Sequence, residues 1–336
     1  MKPQLASGTA GMIVRCLPFV LSVVCAGAQS QPPAARAGVA TEYTGSADAS
    51  GAMALGPNFF VVGDDEDSTL RVYRRRGGGA PVMSVDLKGW SQLQAPGGKN
   101  KELDLEGAAR LGDKIFWIGS HGNTREGKIA PNRRQLFATT ITGSDGAFRI
   151  ALAGRPYRRL VDDLAGAPQL REFKLGEAAA EGHAPKDEGG FNVEGLCATP
   201  DGHLLIGLRR PVPQGRALLI PLLNPEGVIR GERARIGSPI RLDLQGRGVR
   251  DLLLVDQEYF IIGGDYRAAG HPSQLYGWAG GTAPARWLLD LPHLNPEVLI
   301  GYPDTGKAEL QVLSDDGQKP PVSTNRKKFR SLLINL

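Results

Sequence analysis

Residues that could do chemistry recur at two fixed distances from the end of an apolar run. Four runs, FFVVG, IFWIG, LLIG and FIIG, end at Gly63, Gly119, Gly207 and Gly263, and a fifth, AELQVLS, ends at Ser314. Thirteen residues before these ends, with a looser alignment for the fifth, stand Ser50, Glu106, Glu194, Arg250 and Glu297. Two residues after the ends stand Asp65, His121, Arg209, Asp265 and Asp316. Nine of these ten residues are ionisable in a chain that is 22% charged, so the pattern indicates one shared polar site.

The residue types in this set suit the binding of a cation and of an anion. The hard oxygen ligands that calcium prefers are available from Asp65, Glu106, Glu194 and Asp316. Arg209 and Arg250 are candidates to hold a phosphate or carboxylate, and His121 is a candidate general base near neutral pH. The same charges would also pair with one another if they only solvate a channel, and the sequence leaves that alternative open.

The elements that must position these residues are β-hairpins. Turn-forming residues stand midway in the units, for example Gly112-Asp113 and Pro200-Asp201-Gly202. One or two further strand-like runs follow each hairpin, and the glycines are 56, 88 and 56 residues apart, which indicates repeated units with one insertion of 32 residues. Four strands per unit, repeated at about fifty residues, predict an all-β fold, namely a β-propeller.

We expect five blades. Six blades would require a degenerate blade inside the insertion, and a β-sandwich is the remaining alternative. The fifth unit has too little chain for a fourth strand, so Thr41 to Thr44 is predicted to supply it from the N-terminal side and close the ring.

The propeller would bring both sets of residues to one end of its channel. The first strand of each blade lines the channel, and antiparallel pairing puts its start beside the end of the second strand. The insertion, residues 155–190, lies between units two and three and connects at the same end. It is predicted to be partly helical and to form a lid over the site.

The N-terminal segment has the pattern of a secretory signal peptide over residues 1–28, followed by one propeller domain over residues 41–336. Lys2 and Arg15 precede a short apolar stretch, and Ala26-Gly27-Ala28 offers a cleavage site. We therefore expect a periplasmic or secreted, monomeric protein without a membrane span in its mature form.

The formal charge of +5 becomes +3 without Lys2 and Arg15, which argues against nucleic-acid binding. Cys197 would be the one remaining cysteine, so no internal disulfide is expected.

The sequence resembles a bacterial domain-of-unknown-function family, number 3616. The resemblance extends over VVGDDEDSTLRVY, LDLEGAA, WIGSHGN, NRRQLFA, FNVEGLCATPDGHLLIGLRRP, GRGVRD and LSDDG. It implies an exported protein of propeller type and no particular activity. The segment EGL-x-x-x-PDG at residues 194–202 is also similar to a phytase-like esterase family, over that one hairpin alone.

The residues thus favour a metal-assisted hydrolase of a phosphoester or ester, with a small anionic or ester substrate. Its predicted catalytic residues are His121, Glu106, Glu194, Arg209 and Arg250. Its predicted metal ligands are Asp65, Glu106, Glu194 and Asp316, with calcium as the expected cation. The alternatives are a non-catalytic propeller that binds a small anion, glycan or protein partner, and a purely structural scaffold whose charges pair off completely.

Overall fold

The computed structural model describes residues 36–37, 40–96, 102–264, 272–292, 294–302, 309–316 and 327–335. By its contacts the chain divides into two units, Met1–Pro33 and Ala34–Leu336, and every described residue belongs to the second. The predicted signal peptide and Asp265 lie outside the described residues. None of the helices in the described part is long and apolar enough to cross a membrane.

Within the described residues, twenty-one strands form five antiparallel sheets. The two N-terminal strands are β1 (Arg36–Ala37) and β2 (Thr41–Thr44). Blade 1 contains β3 (Ala49–Ala54), β4 (Phe59–Asp64), β5 (Thr69–Arg74) and β6 (Met83–Asp86). Blade 2 contains β7 (Leu105–Leu111), β8 (Lys114–Gly119), β9 (Leu136–Ser144) and β10 (Ala147–Tyr157).

The remaining strands complete the ring. Blade 3 contains β11 (Asn192–Ala198), β12 (Leu204–Arg210), β13 (Ala217–Leu222) and β14 (Ile240–Leu242). Blade 4 contains β15 (Gly248–Val255), β16 (Glu258–Gly264), β17 (Ser273–Trp278) and β18 (Arg286–Leu291). Blade 5 contains β19 (Pro296–Gly301), β20 (Glu309–Ser314) and β21 (Lys328–Asn335), and both N-terminal strands pair with β21. The five inner strands β3, β7, β11, β15 and β19 contact one another in sequence around the axis, and β19 contacts β3. The predicted five-bladed propeller is therefore confirmed.

The hydrophobic core lies between adjacent blades. Along β4, Phe59 and Val61 pack against blade 2, whereas Phe60 and Val62 pack against blade 5. Both faces of such a strand are buried, so its sequence is a continuous apolar run rather than an alternation. This is the physical reason for the repeated apolar runs in the sequence.

Strand β2 closes the ring, as predicted. Thr41 pairs with Ser331 and Thr44 with Lys328, in register along β21. Tyr43 is fully buried, stacks on Phe329 at 5.1 Å and donates a hydrogen bond to the carbonyl oxygen of Arg75 at 2.6 Å. Blade 5 thus contains chain from both ends of the propeller, which ties the first blade to the last.

The insertion between blades 2 and 3 is partly helical, as predicted. It contains α1 (Leu160–Gly166), a 3₁₀ helix (Pro168–Phe173) and α2 (Leu175–Ala178). Elsewhere lie α3 (Pro225–Ile229) and the 3₁₀ helices Leu87–Gly89, Ser91–Leu93, Pro131–Arg133 and Pro213–Gly215. Because the insertion is helical where it is ordered into elements, it contains no sixth blade.

Candidate functional site: the channel mouth

Every blade carries a β-bulge near the start of its inner strand. In blade 2, Leu105 pairs with Gly119 and Gly107 pairs with Ile118, so Glu106 is the extra residue. A bulge disrupts the strand alternation and re-aims the extra side chain. The extra residues of the five blades are Ser50, Glu106, Glu194, Arg250 and Glu297. They are the five opening residues of the sequence pattern, and we call the channel end that they line the mouth.

A glycine follows the bulge in blades 1, 2 and 3, and it lets neighbouring inner strands approach closely. A Cβ at Gly107 would lie 3.0 Å from the backbone nitrogen and from the Cβ of Leu196 in blade 3. A Cβ at Gly51 would lie 3.1 Å from the backbone carbon of Gly107. The glutamate-glycine pairs at Glu106 and Glu194 therefore combine a functional side chain with a position that has no room for one.

Four blades of the mouth are linked by a run of polar contacts. Ser50 Oγ donates to Glu297 Oε2 at 3.2 Å, and Glu297 Oε1 forms an ion pair with Arg250 Nη2. Arg250 Nε lies 2.9 Å from Glu194 Oε2, and Arg209 Nη1 pairs with Glu194 Oε1. The two carboxylates and two guanidinium groups neutralise one another, so this half of the mouth has the arrangement of a structural network.

The other half of the mouth is acidic. Asp65, Asp104 and Glu106 each offer a carboxylate oxygen, and these atoms all lie within 4.8 Å of one another. Arg133 Nη1 lies 3.2 Å from Asp104 Oδ2, but no basic residue within the described ranges forms an ion pair with Asp65 or Glu106. Asp65 Oδ1 is buried and has no hydrogen-bond partner in that part of the chain. We call Asp65, Asp104 and Glu106 the acidic cluster.

Burial and mutual repulsion raise the pKa values of the carboxyl groups in this half of the mouth, so these groups keep their protons to higher pH. Burial raises the pKa of Asp65 to about 9, and the carboxylates of Asp104 and Asp48 add to the shift. Burial, followed by the charges of Glu194 and Asp104, raises the pKa of Glu106 well above its ordinary value. Burial and the charge of Asp315 raise the pKa of Asp48 to about 8. The members of the acidic cluster lie deep among protein atoms but keep a partly exposed surface, so a small ion can reach them.

Sequence reasoning missed Asp104, Asp48 and Asp315. Asp104 and Asp48 each stand two residues before a bulge residue, and a strand has a period of two, so that signal was present in the sequence. Asp104 has a φ of 53°, in the left-handed region that aspartate tolerates better than most residues. Backbone strain of this kind clusters at functional sites.

The residues predicted two positions after each apolar run do not all reach the mouth, because the hairpin turns of the blades differ in length. In blades 2 and 4 two residues separate the last paired residues of the hairpin, whereas in blades 1 and 3 five residues separate them. Asp64 pairs with the residue before the bulge of blade 1, and Gly119 pairs with the residue before the bulge of blade 2. When the blades are superposed by their bulges, Asp64 rather than Gly63 therefore corresponds to Gly119. The residues that follow the aligned positions are Asp65, Ser120, Arg209, Gly264 and Asp315. Asp65 and Arg209 keep the predicted place, while His121 and Asp316 are one residue too far along, which directs their side chains elsewhere.

His121 is fully buried rather than at the channel surface. Its Nδ1 donates to the carbonyl oxygen of Gly119 at 2.8 Å, and its buried Nε2 has no hydrogen-bond partner among the described residues. Burial, together with the charge of Arg134, lowers the pKa of His121 to about 4. The ring is therefore neutral at pH 7 and lacks the carboxylate neighbours that a proton carrier of the acidic cluster would have.

The carboxylate of Asp316 forms hydrogen bonds with Arg330 on β21. Its Oδ2 accepts hydrogen bonds from Arg330 N at 3.0 Å and Nε at 2.8 Å, and its Oδ1 accepts from Nη2 at 2.6 Å. A carboxylate held by three hydrogen bonds from one arginine residue is oriented away from other ligands. Of the four predicted metal ligands, Asp65 and Glu106 lie in the acidic cluster, while Glu194 and Asp316 are paired with arginines.

The first part of the insertion packs into the core instead of covering the site. Leu160, Leu164, Leu170, Phe173 and Leu175 are buried in the cluster between blades 2 and 3. The lid predicted for residues 155–190 is therefore not formed by the helical part of the insertion, residues 160–178. The part of the insertion that reaches the mouth comes later in the chain, after residue 180.

A cavity of about 830 Å³ lies at the opposite end of the channel from the mouth. It is lined by the hairpin turns and the ends of the inner strands, including Leu55, Arg110, Leu111, Ala198 and Val255. Its walls are largely apolar and contain none of the bulge residues. The charged site and this cavity are thus at different ends of the propeller.

One sequence comparison relates this chain to a known family. The family described as Protein of unknown function (DUF3616) matches residues 48–140 and 148–289. No curated protein matches the sequence.

Solved structures with the same general architecture are distant in sequence. A GH43 glycoside hydrolase engineered for endo-xylanase and exo-arabinofuranosidase activity is 13% identical, with a TM-score of 0.45 over 88% of this chain. This chain spans about half, 51%, of that structure. The PQQ-bound aldose sugar dehydrogenase of Streptomyces coelicolor is 12% identical, with a TM-score of 0.42 over 90% of this chain and 99% of its own. A GH43_1 enzyme from Xanthomonas citri is also 12% identical, with a TM-score of 0.44 over 89% of this chain and 90% of its own.

Proposed function

The chain belongs to that family of unknown function, and from this premise we propose that it is a calcium-dependent phosphoester or ester hydrolase that acts at the mouth of the propeller. The N-terminal pattern ending at Ala26-Gly27-Ala28 supports export as its setting, in the periplasm or outside the cell. Calcium sites of extracellular modules work at dissociation constants of roughly 10⁻⁴ to 10⁻³ M, which suits such a setting.

The observation that carries the proposal is the acidic cluster, in which Arg133 pairs with Asp104 but no described basic residue forms an ion pair with Asp65 or Glu106. Three carboxylate oxygens, one from each residue, lie within 4.8 Å of one another, and Asp65 Oδ1 is buried without a partner among the described residues. Burying unpaired carboxylates is costly, and a protein accepts this cost where a cation can offset it. Asp65, Asp104 and Glu106 would hold the cation through oxygen ligands, which are the ligands that calcium takes.

The bound cation would act as a Lewis acid on the ester oxygen and would lower the pKa of a bound water. The chain's own groups then have separable tasks. Arg209 keeps Nε and Nη2 without a partner among the described residues, so it can hold developing negative charge beside the cluster. Arg250 is engaged by Glu194 and Glu297, and its task is to hold those two side chains in place.

Asp48 is the group that we propose as the proton carrier. Its pKa of about 8, raised by burial and by Asp315, leaves it able to gain or lose a proton near neutral pH. Two neighbouring carboxyl groups that share a proton are a common arrangement for acid-base catalysis. His121, the sequence-based candidate, is buried and neutral and is better suited to holding the backbone at Gly119.

Calcium titration by calorimetry, followed by turnover measurements on phosphomonoesters and carboxylic esters, tests the proposal. The Glu106→Gln change should weaken calcium binding by more than about tenfold and remove turnover, because it removes a charged ligand without changing side-chain shape. The control Glu177→Gln, at an exposed residue of α2, should bind calcium as the unaltered protein does. Absence of calcium binding by folded protein would overturn the proposal. Binding without turnover would indicate the non-catalytic alternative.

A further inference from the structure

The late part of the insertion, residues 180–190, is fastened at the mouth by side chains of blades 2 and 3. Asn123 Nδ2 donates to the carbonyl oxygens of Ala180 at 2.7 Å and His183 at 3.0 Å. Arg210 Nη2 donates to the carbonyl oxygen of Lys186 at 3.1 Å. Asn123 lies four residues after the end of β8, and Arg210 is the last residue of β12, so both bonds come from the end of these strands where the bulges lie.

The loop is also held by close packing and by its own turn. A Cβ at Gly122 would lie 3.0 Å from Pro185 Cβ, so the chain of blade 2 and the loop are in direct contact there. Within the loop, Asp187 N donates to the carbonyl oxygen of Ala184, and Asp187 Oδ2 accepts from Ala184 N at 3.3 Å. Lys186 is therefore presented from a fixed turn rather than from a free end.

We propose that Lys186 and Arg209 form an anion-binding pair beside the acidic cluster, which holds the phosphate of a phosphomonoester substrate. This inference rests on the proposed function, because it names the substrate class for the same site. Lys186 is exposed and forms no ion pair with another described residue, while Arg209 offers its two unpartnered nitrogens. A monoester phosphate is close to a dianion at neutral pH, so it can use both cations together with a metal on the acidic side.

The electrostatic surroundings of Lys186 agree with this position. Lys186 is exposed as a whole residue, but the protein atoms around its ammonium group desolvate it and lower its pKa. The charge of Arg209 acts in the same direction, while Glu194 and Glu106 act in the opposite direction. The hydrogen bonds from Asn123 and Arg210 to the loop hold Lys186 at the mouth, between blades 2 and 3. Because Arg250 is engaged by two glutamates, Lys186 takes the place that the sequence had suggested for Arg250 as the second cation of the anion site.

The test uses inorganic phosphate and dimethyl phosphate as probes, with binding measured by calorimetry in the presence and absence of calcium. The unaltered protein should bind phosphate, and dimethyl phosphate, a monoanion, at least about tenfold more weakly. Lys186→Gln should weaken phosphate binding by about tenfold or more, and it should leave calcium affinity unchanged or higher, because it removes a positive charge near the carboxylates. Lys174→Gln, at another exposed lysine of the insertion, is the matched control and should change neither affinity.

The outcomes separate this inference from the function on which it rests. Calcium binding together with equal phosphate affinity in Lys186→Gln and the unaltered protein would overturn the anion pair while the metal site stood. Equal binding of both probes would overturn the substrate class. Phosphate binding that depends on Lys186 in a protein without calcium affinity would support the anion pair and overturn the metal-assisted mechanism. Absence of phosphate binding under both conditions would overturn the inference.

Discussion

The raised pKa of Asp65 affects both the stability of the folded protein and the binding of a cation at the mouth. Its pKa of about 9 means that the folded protein holds a proton which the unfolded chain releases above about pH 4. A group of this kind contributes stability that is fully present below its unfolded pKa and is lost as the pH rises through its folded pKa. The same carboxylate gains a cation more readily at high pH, because ligands must lose their protons to bind a metal.

We therefore expect the metal-free protein to lose stability as the pH rises from about 5 to about 9. Urea unfolding across this range should give a falling free energy of unfolding, and Asp65→Asn, which has no proton to lose, should flatten the curve. Added calcium should reduce the loss by binding the folded state. Asp145→Asn, at an exposed turn, serves as the control and should keep the original slope. A slope unchanged by Asp65→Asn would contradict the assignment of a raised pKa to this residue.

Individual residues were predictable where the strand period carried the signal. Four of the five bulge residues follow from counting back thirteen positions, and Glu297 follows from a looser alignment, although a bulge could not be foreseen from the residue types alone. Glu194 and Arg250 do lie together, but the sequence left open whether they would form an ion pair with each other or bind a ligand. Which charges pair and which remain free depends on distances of a few ångströms between blades, and one sequence contains no record of those distances.

At the scale of elements, inner-strand spacing depends on the glycine after the bulge. Gly107 does not have a positive φ, so its requirement is for space rather than for backbone conformation. We expect Gly107→Ala to lower the free energy of unfolding by about 1–3 kcal/mol, the usual cost of overpacking, because the new methyl group would press on Leu196. The shift of β7 should also weaken calcium binding through Glu106.

Chemical denaturation and calcium calorimetry on the same samples check this expectation. Gly166→Ala is the matched control, since a Cβ there meets no atom within 4 Å and the residue ends α1. That change should be neutral or should stabilise the protein by up to about 1 kcal/mol, through helix propensity. Equal stability of the two variants would mean that β7 and β11 can separate freely.

Turn length explains why the elements were predicted better than their register. The apolar runs place β4, β8, β12 and β16 correctly, because burial on both faces leaves a long apolar signal. Counting residues between the bulge and the glycine gives the same number for blades 1 and 2, although the hairpin of blade 1 has the longer turn. The residue that pairs beside the bulge therefore lies one position further along in blade 1 than the count predicts. With a side-chain period of two, that one position was enough to replace Ser120 with His121 and Asp315 with Asp316.

At the scale of the whole molecule, two short N-terminal strands pair with β21 and close the propeller, and β2 is the longer of them. Strand β2 supplies the outer pairing of blade 5, and the aromatic rings of Tyr43, Phe60, Tyr73 and Phe329 pack together where blades 1 and 5 meet. Because the mouth takes Ser50 from blade 1 and Glu297 from blade 5, opening this seam would also disrupt the site. Closure and function are therefore coupled through the ring.

We expect Tyr43→Ala to lower the free energy of unfolding by about 3–5 kcal/mol, the usual cost of removing a buried aromatic ring. Tyr43→Phe removes only the hydrogen bond to the Arg75 carbonyl oxygen and should cost about 0.5–1.5 kcal/mol. Urea unfolding gives both values, and amide hydrogen exchange should show faster exchange in Thr41–Thr44 and in the paired part of β21 for the alanine variant. If both variants lost equal stability, or if exchange rose uniformly over all five blades, the seam would not be the weak point of the ring. A loss confined to β2 and β21, accompanied by weaker calcium binding, would establish that the acidic cluster depends on a closed propeller.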